Sequence, residues 1–85
     1  MQIKKIKLQE RGILYAEFVN GEIKRYSMGI LTDELPVFSK LIADENLFLN
    51  GHISSGGYAV IWNSEIDLAA EEIYERGETI EGFPA

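Results

Sequence analysis

Two runs of alternating apolar and polar residues meet at Asn20-Gly21, and this junction constrains the fold more than any other feature of the chain. Asn-Gly is the favoured pair for a two-residue type I′ turn, because both central positions need positive φ. Before it, Ile13 to Val19 places Leu14, Ala16 and Phe18 on one face and Tyr15, Glu17 and Val19 on the other. After it, Glu22 to Met28 reads as the returning strand. A two-residue loop would pair Phe18 with Ile23, Glu17 with Lys24 and Tyr15 with Tyr26. Those are an apolar, an opposite-charge and an aromatic pair, each a modest stabiliser of a sheet. The register leaves one conflict. Ile23 and Tyr26 fall on opposite faces and Arg25 joins Phe18, so a bulge near Lys24-Arg25 or a rim position for Arg25 is needed.

The remaining elements follow from periodicity. Gln2 to Leu8 reads as a strand with Ile6 and Leu8 on one face, Lys4 leading into it, and Ile3, Lys5 and Lys7 on the other. A lysine-lined face suits a sheet edge. Glu10-Arg11-Gly12 turns the chain into Ile13, and Gly29 to Glu34 is a connection. Pro36 fits a first helical turn, and Val37, Phe38, Leu41 and Ile42 recur at helical spacing, which predicts a helix over 36–43. Asp44-Glu45-Asn46 breaks it, and Leu47-Phe48 forms a short turn on the core. Leu49 to Ser54 and Tyr58 to Trp62 read as strands around Ser54-Ser55-Gly56-Gly57. The second is apolar on both faces, as a central strand is. Asp67 reads as the cap of a short helix through Tyr74, with Leu68 and Ile73 inward, Glu71 and Glu72 near the positive end, and Gly77 as the stop. The order β-β-β-helix-β-β-helix predicts a single α+β domain over 1–76. It has a small antiparallel sheet with one or two short helices on one face, and an acidic tail over 77–85 that is expected to be loose.

Composition narrows the function. Fourteen acids against eight bases give a net charge of −6, which argues against a direct nucleic-acid binder. No apolar run approaches the roughly 20 residues of a membrane span, and MQIKKIKLQE breaks every apolar stretch with charge, so no signal peptide is expected. With no cysteine, thiolate catalysis and Cys-built zinc sites are excluded, and a cytoplasmic location is the default expectation.

The chemistry-bearing residues read blandly. His52, the one histidine, would need a nucleophile and an orienting acid; Ser54, Ser55, Glu65 and Asp67 qualify by type, but their spacing does not bring them together. It reads as a strand-end residue half in solvent. Glu71, Glu72 and Glu75 share helical spacing and read as a solvated face rather than a metal site. Asp44-Glu45-Asn46 lacks the glycine and terminal glutamate of a calcium loop, and Ser54-Ser55-Gly56-Gly57 lacks the following Lys-Ser/Thr of a phosphate loop. No catalytic residue, metal or cofactor is assigned. The residues that point to recognition are Tyr15 and Tyr26, an aromatic pair if the hairpin register holds, and Trp62, which suits a core or an interface. Asp67 completes the set as a candidate surface residue.

The ordered pieces resemble a bacterial family of small proteins, domain-of-unknown-function family 2442. They are the Ile/Lys-rich first strand, Asn20-Gly21-Glu22, Pro36-Val37-Phe38 with Leu41, Leu47-Phe48, Ile61-Trp62, and Asp67-Leu68 shortly after the tryptophan. Together they span about residues 3–75. The resemblance implies an α+β fold with a curved antiparallel sheet and an antitoxin-like role, in which the domain binds and neutralises a small partner protein, possibly a toxin. A toxin acting on RNA would be basic, and the acidic excess is compatible with that. Two departures stand out. Asn63-Ser64-Glu65 replaces the family's Pro-Asn-Gly-like turn, and no helix-turn-helix follows Ile73, so a DNA-binding role does not carry over. The family offers no catalytic residues to transfer. The alternative is a small-molecule-binding or regulatory module, acting as a homodimer, with a pocket near Trp62.

Overall fold

A computed structural model describes all residues, 1–85. Strands β1 (Ile3–Gln9), β2 (Ile13–Phe18), β3 (Ile23–Ser27) and β7 (Glu78–Ile80) form one antiparallel sheet in the order β1-β2-β3-β7. Strands β4 (His52–Ile53), β5 (Ala59–Ile61) and β6 (Asp67–Ala69) form a second antiparallel sheet with β5 in the middle. Helices α1 (Gly29–Thr32), α2 (Pro36–Ala43) and α3 (Glu45–Leu49) link the sheets, and α4 (Ala70–Arg76) joins β6 to β7. The α+β class and antiparallel pairing match the sequence reading. The strands divide between two sheets rather than sharing one.

The hairpin at Asn20-Gly21 forms, but its loop is one residue longer than expected. The Phe18 amide donates to the Glu22 carbonyl at 2.9 Å, and the Gly21 amide to the Phe18 carbonyl at 2.9 Å. Of the loop residues Val19, Asn20 and Gly21, only Gly21 has positive φ, at 90°. This is the three-residue loop in which a type I turn is followed by a left-handed glycine. Asn20 stabilises it by accepting the Glu22 amide on Oδ1 at 3.0 Å.

The extra residue shifts β3 by one position. Tyr15 now pairs with Arg25, Leu14 with Tyr26 and Ala16 with Lys24. A one-residue shift turns every side chain of a strand to the other face. Tyr26 and Met28 therefore enter the core, while Ile23 and Arg25 face outward, which removes the conflict over Arg25 without a bulge in β3. Lys24 turns inward as a consequence. Its stem is buried, and its ammonium donates to Thr79 Oγ1 at 2.6 Å and lies 5.0 Å from the Tyr74 ring centroid.

A bulge does occur, in β1. Ile3 pairs with Phe18 and Lys5 with Glu17, so Lys4 is the extra residue. It returns Ile3 to the inner face, contrary to the strict alternation that groups it with Lys5 and Lys7.

The helix over Pro36–Ala43 has the predicted limits, with Pro36 in its first turn. Asp44 both ends it and caps α3, accepting the Leu47 amide on Oδ1 at 3.1 Å. Asp67 is not a cap. It lies in β6 opposite Ile61, and α4 begins at Ala70 with no side-chain cap. The β5 ladder claims residues 67–69 first. Residues 78–80, expected to be loose, form β7 and pair with β3 from Arg25↔Glu78 to Ile23↔Ile80. The β3 edge needed a partner, and Thr79 supplies the acceptor for inward-turned Lys24. A single core joins both sheets: Leu14, Phe18 and Tyr26 from the first, with Met28 just after β3, meet Val60 and Leu68 from the second, with Trp62 just after β5, and Phe38, Leu41, Phe48 and Ile73 from the helices lie between.

Candidate interaction surface

The structure separates the four residues singled out from sequence. Tyr26 is 0% exposed and Trp62 6%, so neither presents a surface. The register shift buries Tyr26. Trp62 is held by three contacts: its Nε1–H donates to the Phe48 carbonyl at 2.7 Å, its ring stacks on Phe48 at 5.8 Å, and Gly51 approaches it so closely that a Cβ there would lie 2.5 Å from Nε1. A glycine at 51 is thus required by Trp62. An open depression of about 430 Å³ is lined by Leu8, Gln9, Glu10 and Leu49; Trp62 does not line it, although Leu8 also packs against Gly51.

Tyr15 stays half-exposed on the outer face of the four-stranded sheet, between Lys7 on β1 and Arg25 on β3. The last residues of the chain cross this face. Phe83 lies under Lys5, with Nζ 4.5 Å from the ring centroid, and the Ala85 carbonyl accepts from Lys7. Asp67 is exposed on β6. His52 is exposed at the start of β4, as a strand-end residue. No group of three or more His, Asp or Glu side chains is placed to hold a metal ion.

Two polar clusters that the sequence reading did not find fasten α4 to the sheet. In the first, Tyr26 donates to Glu72 Oε2 at 2.6 Å, and Arg76 bridges Glu72 at 3.2 Å and Glu34 at 3.1 Å. Burial first, and then the Glu72 hydrogen bond, push the Tyr26 phenol well above its ordinary value. In the second, Tyr74 packs edge-on against Phe18 at 5.0 Å, donates to Glu22, and accepts from Asn20 Nδ2 at 3.2 Å. The Tyr74 hydroxyl and then the Asn20 amide hold the Glu22 carboxyl below its usual range, and Glu22 in turn raises the Tyr74 phenol. The faint sequence signal was Tyr74 directly after core residue Ile73, beside a helix rich in acids.

Charge is unevenly divided. Residues 1–27 carry six bases and three acids, net +3, whereas residues 28–85 carry two bases and eleven acids, net −9. Lys5, Lys7 and Arg25 sit on the outer sheet face around Tyr15. Two acids share that face, Glu17 bridged by Lys4 and Lys5 and Glu78 paired with Arg25. Most of the others sit elsewhere: Asp33 and Glu34 after α1, Asp44 and Glu45 at α3, Glu65 and Asp67 at β6, and Glu71, Glu72 and Glu75 on α4. Of the two bases in this part, Arg76 is already engaged by Glu34 and Glu72. The outer sheet face thus carries bases and acids together, whereas the helices and the second sheet are predominantly acidic. No helix is long and apolar enough to cross a membrane.

No curated protein and no solved structure matches the chain. One family model does, over residues 3–79, which takes in every strand and helix but the last residue of β7. The chain therefore belongs to the family described as "Protein of unknown function (DUF2442)".

Proposed function

We propose that this is a non-catalytic, antitoxin-like interaction domain that binds and neutralises a small basic partner protein in the cytoplasm. The observation that supports it is the net −9 gathered on residues 28–85, with Arg76 of its two bases already neutralised from within. A predominantly negative surface steers an oppositely charged partner and raises the association rate. The acids there are mostly surface groups; Glu72 is the one engaged by Tyr26 beneath α4. The ligand-binding alternative would have to use the depression lined by Leu8, Gln9, Glu10 and Leu49, because Trp62 itself is packed inside the core.

The test is affinity isolation of the tagged chain from its native host at low ionic strength, with mass spectrometry and light scattering of the eluate. A stoichiometric complex with a small basic protein is expected. A chain recovered alone, as monomer or homodimer, would contradict the reading.

A further inference from the structure

Three of the five large apolar side chains that the fold leaves exposed, Met1, Val19 and Tyr58, belong to segments that are joined where the two sheets meet. Val19 is at the tip of the β2–β3 loop, and its amide donates to the Gln2 carbonyl at 3.0 Å. Gln2 reaches across to the second sheet, donating from Nε2 to the Gly56 carbonyl at 3.0 Å. The Tyr58 ring lies over Gly56, where a Cβ would meet it at 3.2 Å. The Tyr58 carbonyl accepts the Ala70 amide at 2.8 Å, which fixes the corner to the start of α4, and the Met1 ammonium contacts Glu71 there. Tyr58 is 61% exposed and Val19 58%, although both are anchored through their backbones.

Acids border the patch. Glu71 follows Ala70 directly, Glu75 lies one helical turn further on, and Glu22 stands beside the Val19 loop, bonded to Asn20 and Tyr74. An exposed aromatic on a rigid backbone, with apolar neighbours and a charged rim, has the build of an interface hot spot.

We propose that this corner is the docking surface, and that it takes an apolar side chain of the partner flanked by lysine or arginine. The aromatic and Val19 would receive the apolar side chain, and Glu71, Glu75 and Glu22 the flanking cations. The inference rests on the interaction reading above and specifies where the partner is held and by what chemistry. Tyr15, on the outer face of the four-stranded sheet, is the natural control position.

The test places the photo-crosslinker p-benzoylphenylalanine at position 58 in one protein and at position 15 in another, with irradiation in the native host. Crosslinked peptides are identified by mass spectrometry, and the captured protein is purified for titration. The expected result is a crosslink from position 58, not 15, to an apolar residue next to Lys or Arg in a basic protein. Tyr58→Ala should then weaken binding at least about tenfold and Tyr58→Phe far less. Melting temperatures of both variants should match that of the parent chain, since the side chain is exposed. Crosslinking from position 15 alone, or titration unaffected by Tyr58→Ala, would overturn the corner and leave the interaction reading standing. A crosslink from position 58 to a second copy of this chain would replace the basic partner by self-association. No crosslink from either position would overturn both.

Discussion

The two sheets are held by different means. The four-stranded sheet rests on two long ladders, to which β7 adds three pairs: β1 and β2 pair from Ile3↔Phe18 to Gln9↔Ile13, and β2 and β3 from Glu17↔Ile23 to Ile13↔Ser27. The three-stranded sheet has ladders of two and three pairs, too short to stand alone. Side chains hold it instead. Trp62 is tied to Phe48, Asn63 Oδ1 accepts the amides of Glu65 and Ile66 at 2.8 and 2.9 Å, and Ser54 Oγ accepts the Ala59 amide at 3.0 Å. In the first sheet, register does the work and point contacts are secondary; in the second, a few anchors substitute for register. The acidic corner proposed as the docking surface lies at their junction.

The strongest way to break this contrast is Trp62→Ala. It should cost about 3–5 kcal/mol by denaturant unfolding, because it removes a buried indole and leaves a cavity. Amide exchange should accelerate first in β4, β5 and β6 while β2 and β3 stay protected; uniform acceleration would mean the sheets do not differ.

Tyr26→Phe probes the first sheet's hold on α4. Loss of a hydrogen bond to a charged group should cost roughly 1.5–3 kcal/mol at neutral pH. The sign of its pH dependence is set by the raised phenol. Its contribution is fully present below the ordinary tyrosine value of about 10 and is lost as pH rises toward the folded value. The parent chain should therefore lose stability in alkali, and the variant less steeply.

Two glycines sharpen the comparison. Gly51→Ala forces a Cβ against Trp62 and should cost about 1–3 kcal/mol by overpacking. Gly21→Ala meets nothing in space and should cost about 1–2 kcal/mol from its positive φ alone. Thermal melts that rank them the other way would place the critical anchor in the hairpin. The smallest effect belongs to Asp67→Ala. A capping aspartate would lose about 0.5–2 kcal/mol, but an exposed β6 residue should change stability by less than about 0.5.

What could be read in the sequence follows the same divide. Leu14, Ala16 and Phe18 declared the core face by alternation, and Pro36 with Phe38 and Leu41 declared α2, because those signals are local. The register of β3 was not legible. Asn20-Gly21 serves both a two-residue and a three-residue loop, and the choice depends on what buries Tyr26 and on Thr79 receiving Lys24, both far away in sequence. Asp67 looks like a cap until β5 takes it into a ladder. The corner built on Met1, Val19 and Tyr58 was not read from the sequence. Trp62 and Tyr26 are conspicuous aromatics, but conspicuous aromatics fill cores, while Tyr58 carried the quieter mark of an aromatic placed directly after Gly56-Gly57.

The most direct test of the proposed function is the association rate with the captured partner, measured by stopped flow across ionic strength. Three proteins are compared: the parent chain, Asp67→Lys/Glu75→Lys on the acidic side, and Lys5→Glu/Lys7→Glu on the outer sheet face. If the acids of the helices and second sheet are what the partner meets, the parent rate falls steeply with salt and the acidic-side reversal slows it about tenfold or more at low salt. The sheet-face reversal then leaves the rate unchanged or raises it. A salt-independent rate, or one that falls on reversing Lys5 and Lys7 instead, would contradict the account.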